Sequence, residues 1–161
     1  LPRRFSRLLG APLINGPQDV PCQRMDSEGI QAFVAQHDGY VPRFGLYHER
    51  ELMLSAGGGM LEGIDRIFRK GGEVARANGR DDVVMRFHLH PDISLFENSR
   101  QDIILQSPLG ERWEFSCEEL IASVEESLFF AGLGGPRRSQ QLVLSYKASE
   151  HPEIHWRLLR L

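Results

Sequence analysis

Residues 81–91 read Asp-Asp-Val-Val-Met-Arg-Phe-His-Leu-His-Pro, and the reading of this stretch decides the fold. Successive side chains of a β-strand point to opposite faces of the sheet. As a strand, the stretch places Val83, Met85, Phe87 and Leu89 on one unbroken apolar face. Val84, Arg86, His88 and His90 then share the other. Asp81-Asp82 marks the start and Pro91 closes the end, since proline cannot donate to a strand ladder. The expectation is a central strand carrying Arg86, His88 and His90 in one row, with alternate residues about 6.6–6.8 Å apart.

The neighbouring segments extend this pattern. Residues 40–55 (YVPRFGLYHERELMLS) form a long extended run, Gly57-Gly58-Gly59 a hairpin-type connection, and residues 60–70 (MLEGIDRIFRK) its return strand. Phe44, Leu46, Leu52 and Leu54 share one parity of the first run, and Arg43, Tyr47, Glu49 and Glu51 the other. His48 and Arg50 interrupt the apolar parity. Either a bulge shifts the register there or these two side chains point inward. Upstream, residues 19–25 and 29–36 read as short strands separated by Asp26-Ser27-Glu28, and His37-Asp38-Gly39 as a turn. Downstream, residues 69–80 are a polar, glycine-containing loop. Residues 93–96, 102–106 and 111–116 are strands, with a turn at Ser107-Pro108-Leu109-Gly110. Residues 118–130 (EELIASVEESLFF) admit two readings: their propensities favour a helix, whereas the alternation of Leu120, Ala122 and Val124 also suits a strand. Residues 131–138 are a loop, and strands at 141–148 and 153–161 close the chain. Many short alternating runs bounded by glycine and proline define an all-β protein, an antiparallel β-sandwich with short helices or none. Residues 1–18, with three prolines, are an extended lead-in to a single domain over 19–161.

Composition narrows the partners. With 161 residues, 41% hydrophobic and 25% charged, the chain suits one globular domain. A net charge of -3 supplies no electrostatic drive toward nucleic acid or an anionic membrane, and no apolar run approaches the ~20 residues of a membrane span. The two cysteines, Cys22 and Cys117, are far apart and form no CxxC pair, which argues against a disulfide scaffold or a cysteine zinc module. The chain begins with Leu rather than Met and carries no signal-peptide pattern, so it is expected to be a piece of a longer protein.

Four blocks carry a resemblance: HDGYVPRFGLYHERELMLS at 37–55, LEGIDRI at 61–67, RFHLHP at 86–91, and the closing QQLVLS with HWRL. In order and spacing the chain resembles, over about residues 10–161, the C-terminal β-domain of bacterial heparinase II/III-like proteins. The resemblance implies a missing N-terminal helical toroid, a large antiparallel β-sandwich, and a parent that cleaves uronic-acid-containing polysaccharides by β-elimination. It also implies a periplasmic or secreted location and tips residues 118–130 toward strand. The family's catalytic tyrosine and histidine and its zinc-site pattern lie upstream. His88-Leu89-His90 lacks the Asn-Asp that follows His-x-His in that pattern, so no catalytic residue transfers. The segment alone is expected to be inactive, with a structural or cleft-lining role. The competing reading is a non-catalytic carbohydrate-binding or protein-interaction module.

Elimination from a uronate needs a neutraliser for the carboxylate, a base for the C5 proton and an acid for the leaving oxygen. Tyr47, His48, Arg50, Arg86, His88 and His90 are of the right types to face such a substrate, an acidic polysaccharide. No cofactor is required. A zinc ion on His88 and His90, with His48 or Asp65 as third ligand, is the metal reading. The plainer alternative is that both histidines hydrogen-bond on a partly exposed sheet face. Arg86 is paired on paper with Asp65, and His37, His151 and His155 are read as solvated. The basic runs at 69–76 and 135–138 are solvated loops or touch an anionic glycan. If the toroid normally covers one sheet face, the isolated piece exposes an apolar patch and forms a homodimer through it.

Overall fold

Eleven strands form among the described residues of the computed structural model, which are residues 16–97, 102–130 and 135–161. Most of the lead-in and half of the 131–138 loop lie outside them, and Arg137 and Arg138, expected in that loop, are strand. The strands are β1 (Cys22–Ser27), β2 (Ile30–His37), β3 (Tyr47–Leu54), β4 (Met60–Phe68), β5 (Asp82–His88), β6 (Ser94–Glu97), β7 (Ile103–Gln106), β8 (Arg112–Cys117), β9 (Ser123–Phe129), β10 (Arg137–Lys147) and β11 (Glu153–Arg160). They make two antiparallel sheets. The large one runs β1-β2-β3-β4-β11-β8-β7-β6 and the small one β5-β10-β9. The all-β sandwich expected from the sequence is the fold, and no helix among the described residues is long and apolar enough to cross a membrane.

Burial along β5 alternates as the opening stretch predicts. Met85 is buried and Val83 and Phe87 half-buried, while Val84, Arg86 and His88 are exposed. One part of the reading is corrected: β5 is an edge strand, hydrogen-bonded to β10 alone. Its apolar face is continuous because the large sheet covers it, and that burial says nothing about how many strands flank it. The core lies between the sheets. Met85, Leu142, Leu144 and Tyr146 of the small sheet meet Ile103, Phe115, Ile154 and Trp156 of the large one.

A second correction concerns residues 40–55, where one helical turn, α1 (Val41–Phe44), precedes β3. Pro42 stands in its first turn, where its missing N–H costs nothing, and Gly45 ends it at φ +69°, donating its N–H to the Val41 carbonyl at 2.9 Å. Residues 123–129 are strand, paired in register with β10, so tertiary pairing overrides the local helix propensity there.

The outer face of the large sheet is polar and tied across strands. Arg66 Nη1 donates to Glu49 at 3.1 Å and to Glu51 at 3.0 Å, and its Nε donates to Glu153. Half-burial works against the guanidinium's charge, but the three carboxylates outweigh it and hold its pKa above the usual arginine value.

Candidate functional site

The small sheet is five strands narrower than the large one, and a cleft of about 370 Å³ opens where the free edge of β5 ends over β3 and β4. Its lining includes Tyr40 and Phe44 from the α1 turn, His48, Arg50 and Asp65 from the large sheet, and Arg80 and Arg86 from the β5 side.

The floor follows from strand register. β3 and β4 pair without interruption from Tyr47 opposite Phe68 to Leu54 opposite Leu61, so no bulge exists. His48 and Arg50 therefore keep the inward parity of Leu52, the second of the two readings their interruption allowed. Arg50 lies opposite Asp65, and His48 lies opposite His37 on β2. On the other side of β4, Gly63 lies opposite Trp156 of β11.

These side chains form one hydrogen-bonded chain. The Gly39 amide donates to His37 Nδ1 at 3.1 Å, so that nitrogen is the acceptor and the ring proton sits on Nε2. His37 Nε2 faces His48 Nδ1 at 3.1 Å, which makes His48 Nδ1 an acceptor and places its proton on Nε2. His48 Nε2 then donates to Asp65 Oδ1 at 2.6 Å. The same oxygen accepts from Arg50 Nε at 2.8 Å, and Oδ2 accepts from the Trp156 indole at 2.7 Å. The Arg50 guanidinium carbon lies 5.7 Å from the ring centroids of both Phe87 and Trp156. Tyr40 rests on the pair, its ring 5.2 Å from that of His37 and 6.5 Å from that of His48.

Asp65 is wholly buried. Burial pushes its carboxyl upward, but the hydrogen bonds from His48, Arg50 and Trp156, with the charge of Arg50, overcome it and hold it below the usual aspartate range. Burial lowers His37, and the neighbouring His48 lowers it further. Tyr146, also in the cleft wall, is raised by burial and by the Asp65 charge.

Of the side chains named from the sequence, His48, Arg50 and Arg86 border this cleft. The other three do not. Tyr47 stacks on Phe68, ring centroids 5.9 Å apart, away from the cleft. His88 Nδ1 lies 2.9 Å from Ser127 Oγ on the exposed face of the small sheet. His90 packs on Phe129 with ring centroids 4.8 Å apart and lies 3.6 Å from Asp92. The zinc set of His88, His90 and His48 or Asp65 is thus not assembled, because its members stand on different sheets and face different ways. The Arg86–Asp65 pair is likewise corrected: Asp65 is taken by Arg50 and His48, and no partner of Arg86 is found among the described residues. Among the same residues, Arg80 has a free guanidinium beside the cleft.

Three residues escaped the sequence reading. His37 was read as solvated beside a turn and Tyr40 as the start of an extended run, although the β2–β3 register alone sets His37 opposite His48. His155, read as solvated, is clamped on the outer face, Nδ1 2.6 Å from Glu119 and Nε2 3.1 Å from Glu153. With Glu118 and Glu119 it is the group of metal-ligand type found among the described residues, and both its ring nitrogens are already engaged. The hydrogen bond with Glu119 raises His155 above the ordinary 6.5, whereas burial sets His37 below it. Proton NMR titration is expected to separate the two in that order, and Glu119→Gln to bring His155 back down. By linkage, the His155 contribution to stability is complete below pH 6.5 and fades as pH rises through the folded-state value. The His37 contribution runs the other way and is lost as pH falls below 6.5.

A β-sandwich with a polar, guanidinium-rimmed cleft at the edge of its smaller sheet is the class that fold and site define. The family profile described as heparinase II/III-like, C-terminal, matches residues 6–157, and the chain belongs to that family. Among solved structures it is similar to one titled Heparinase III-BT4657 gene product. Identity is 13% and the TM-score 0.63, with 89% of this chain and 22% of that one covered. The methylated-lysine form of the same product matches at 10% identity and TM-score 0.60, over 87% of this chain and 21% of that one. The chain thus spans about a fifth of the length of those proteins, and at such identities the likeness shows the fold. No curated protein matches it.

Proposed function

We propose that this domain is the C-terminal β-sandwich of a polysaccharide lyase acting on uronic-acid-containing chains, and that the cleft beside β5 forms one wall of its substrate channel. The observation that carries this reading is the pair of guanidiniums, Arg80 and Arg86, free among the described residues and flanking a cleft in which Asp65 is paired with Arg50 and the exposed Asp82 with Lys147. An acidic sugar would meet positive charge at the rim and the exposed ring of Tyr40 beside it. The domain supplies binding and rigidity rather than the proton transfers. Both nitrogens of His37 and of His48 are committed within the protein, so neither ring presents a free acid or base to a ligand. The acid and base come instead from upstream of this segment, from an N-terminal helical toroid and the first strands of the β-domain.

The test compares this segment with a longer protein that also includes the region encoded immediately upstream in its gene. Both are assayed on acidic polysaccharides by the absorbance of the unsaturated uronate. Activity confined to the longer protein, with Arg80→Ala plus Arg86→Ala raising KM at least tenfold, is the expected result. Glycan binding by the isolated domain together with an inactive longer protein would replace this reading with that of a non-catalytic carbohydrate-binding module.

A further inference from the structure

The cleft beside β5 does not end at its rim. A second depression of about 460 Å³ adjoins it, lined by Arg43, Phe44, Gly79, Arg80 and Asp82. Phe44, Arg80 and Asp82 line both depressions, so the two are parts of one groove. Local structure sets a guanidinium at each station along it. Arg86 lies on β5 and lines the first depression alone. Arg80 borders both: its amide donates to the Asn78 side-chain oxygen at 3.1 Å, and Gly79 takes φ +71° to make the turn. Arg43 lines the second alone, on the α1 turn that Gly45 ends, with its guanidinium carbon 5.2 Å from the centre of the Phe44 ring.

All three arginines are exposed, and none has a carboxylate partner among the described residues. Asp82, the carboxylate that borders both depressions, is bound by Lys147 at 2.8 Å. The chain as a whole carries a net charge of -3, so three uncompensated cations on one groove are a local concentration rather than general basicity. Aromatic surface completes the lip. Tyr40 and Phe44 stand four residues apart on one helical turn, on the same side of it, and both are exposed. The face of an aromatic ring is electron-rich and attracts the C–H groups that a sugar ring presents. A ligand with one acidic group would use part of this groove. A chain with acidic groups in series would use all of it, since each contact after the first is an intramolecular event.

We propose that the groove is a run of anionic-sugar subsites, Arg86 with Arg80 for one acidic unit and Arg80 with Arg43 for the next, and that its ligand is a polyuronate with acidic groups on units in series. This deepens the lyase reading and rests on its acidic-glycan ligand, but binding needs no turnover, so the two fail separately. An inactive longer protein in which the length dependence below persists removes the lyase reading and leaves the subsites standing.

NMR titration of this chain with galacturonate and with its linear tetramer tests the idea, a glucose tetramer being the neutral control. The tetramer is expected to bind at least about tenfold tighter than the monomer, because contacts in series add. Arg43→Gln is expected to weaken the tetramer about fivefold, the worth of one exposed charge pair, and the monomer by no more than about twofold. A tetramer that binds no tighter than the monomer overturns the proposal. So does an Arg43→Gln variant, folded by circular dichroism, that holds the tetramer as wild type does. Equal binding of the glucose tetramer overturns it too, and tighter binding of a polyglutamate peptide of the same charge would hand the groove to an acidic peptide instead.

Discussion

Asp65→Ala is expected to destabilise the domain by about 3–5 kcal/mol, the usual cost of removing one partner from a buried charged pair. The loss exceeds one hydrogen bond because three donors are stranded together. The Arg50 guanidinium, the His48 Nε2 proton and the Trp156 indole proton all converge on that carboxylate. Urea denaturation at pH 7 measures it. The pH dependence has a definite sign. Asp65 lies below its ordinary 3.8 in the folded state, so its contribution is complete above that value and is lost as pH falls through the folded-state pKa. The gap between wild type and variant should therefore narrow only in strong acid. Arg50→Met in the Asp65→Ala background should cost less than in wild type, since the cation no longer has its partner.

Gly63→Ala is expected to be nearly as severe, about 3 kcal/mol, by overpacking together with loss of a buried hydrogen bond. A Cβ on Gly63 would fall well inside 3.0 Å of the Trp156 indole atoms Cζ2 and Cε2. No Cβ sits that close to another heavy atom, so the ring must leave, and with it the bond to Asp65 Oδ2. This glycine is required for space, not for backbone freedom. The two explanations separate in a double-mutant cycle: with Trp156→Ala already in place, Gly63→Ala should cost little.

The face assignment of residues 81–91 was readable because each inward residue meets the core, and burial writes itself into alternation. Whether that strand was flanked on one side or two left no such mark, since ladder partners come from segments distant in sequence. The same limit produced the Arg86–Asp65 pairing, which joins residues of different sheets. The His48 and Arg50 interruption was visible as an anomaly. Its partner could have been found by arithmetic: a hairpin centred on Gly57-Gly58 sets Arg50 across from Asp65. His37 was hidden because it ends β2 beside turn residues, where histidine is ordinary. Tyr47 and His90 were of suitable chemical type but packed against phenylalanines, an outcome fixed by neighbours that the local sequence does not name.

His37, His48 with Arg50, Asp65 and Trp156 come from β2, β3, β4 and β11, which are consecutive in the large sheet. The chain of contacts therefore runs crosswise to the strands, parallel to the ladder hydrogen bonds themselves. A seam in that direction cannot flex without slipping one strand past the next. Slippage by one residue would turn every inward side chain outward. Any accommodation to a bound molecule must then come from the opposite bank, where a single helical turn and an unpaired strand edge are the parts free to give way.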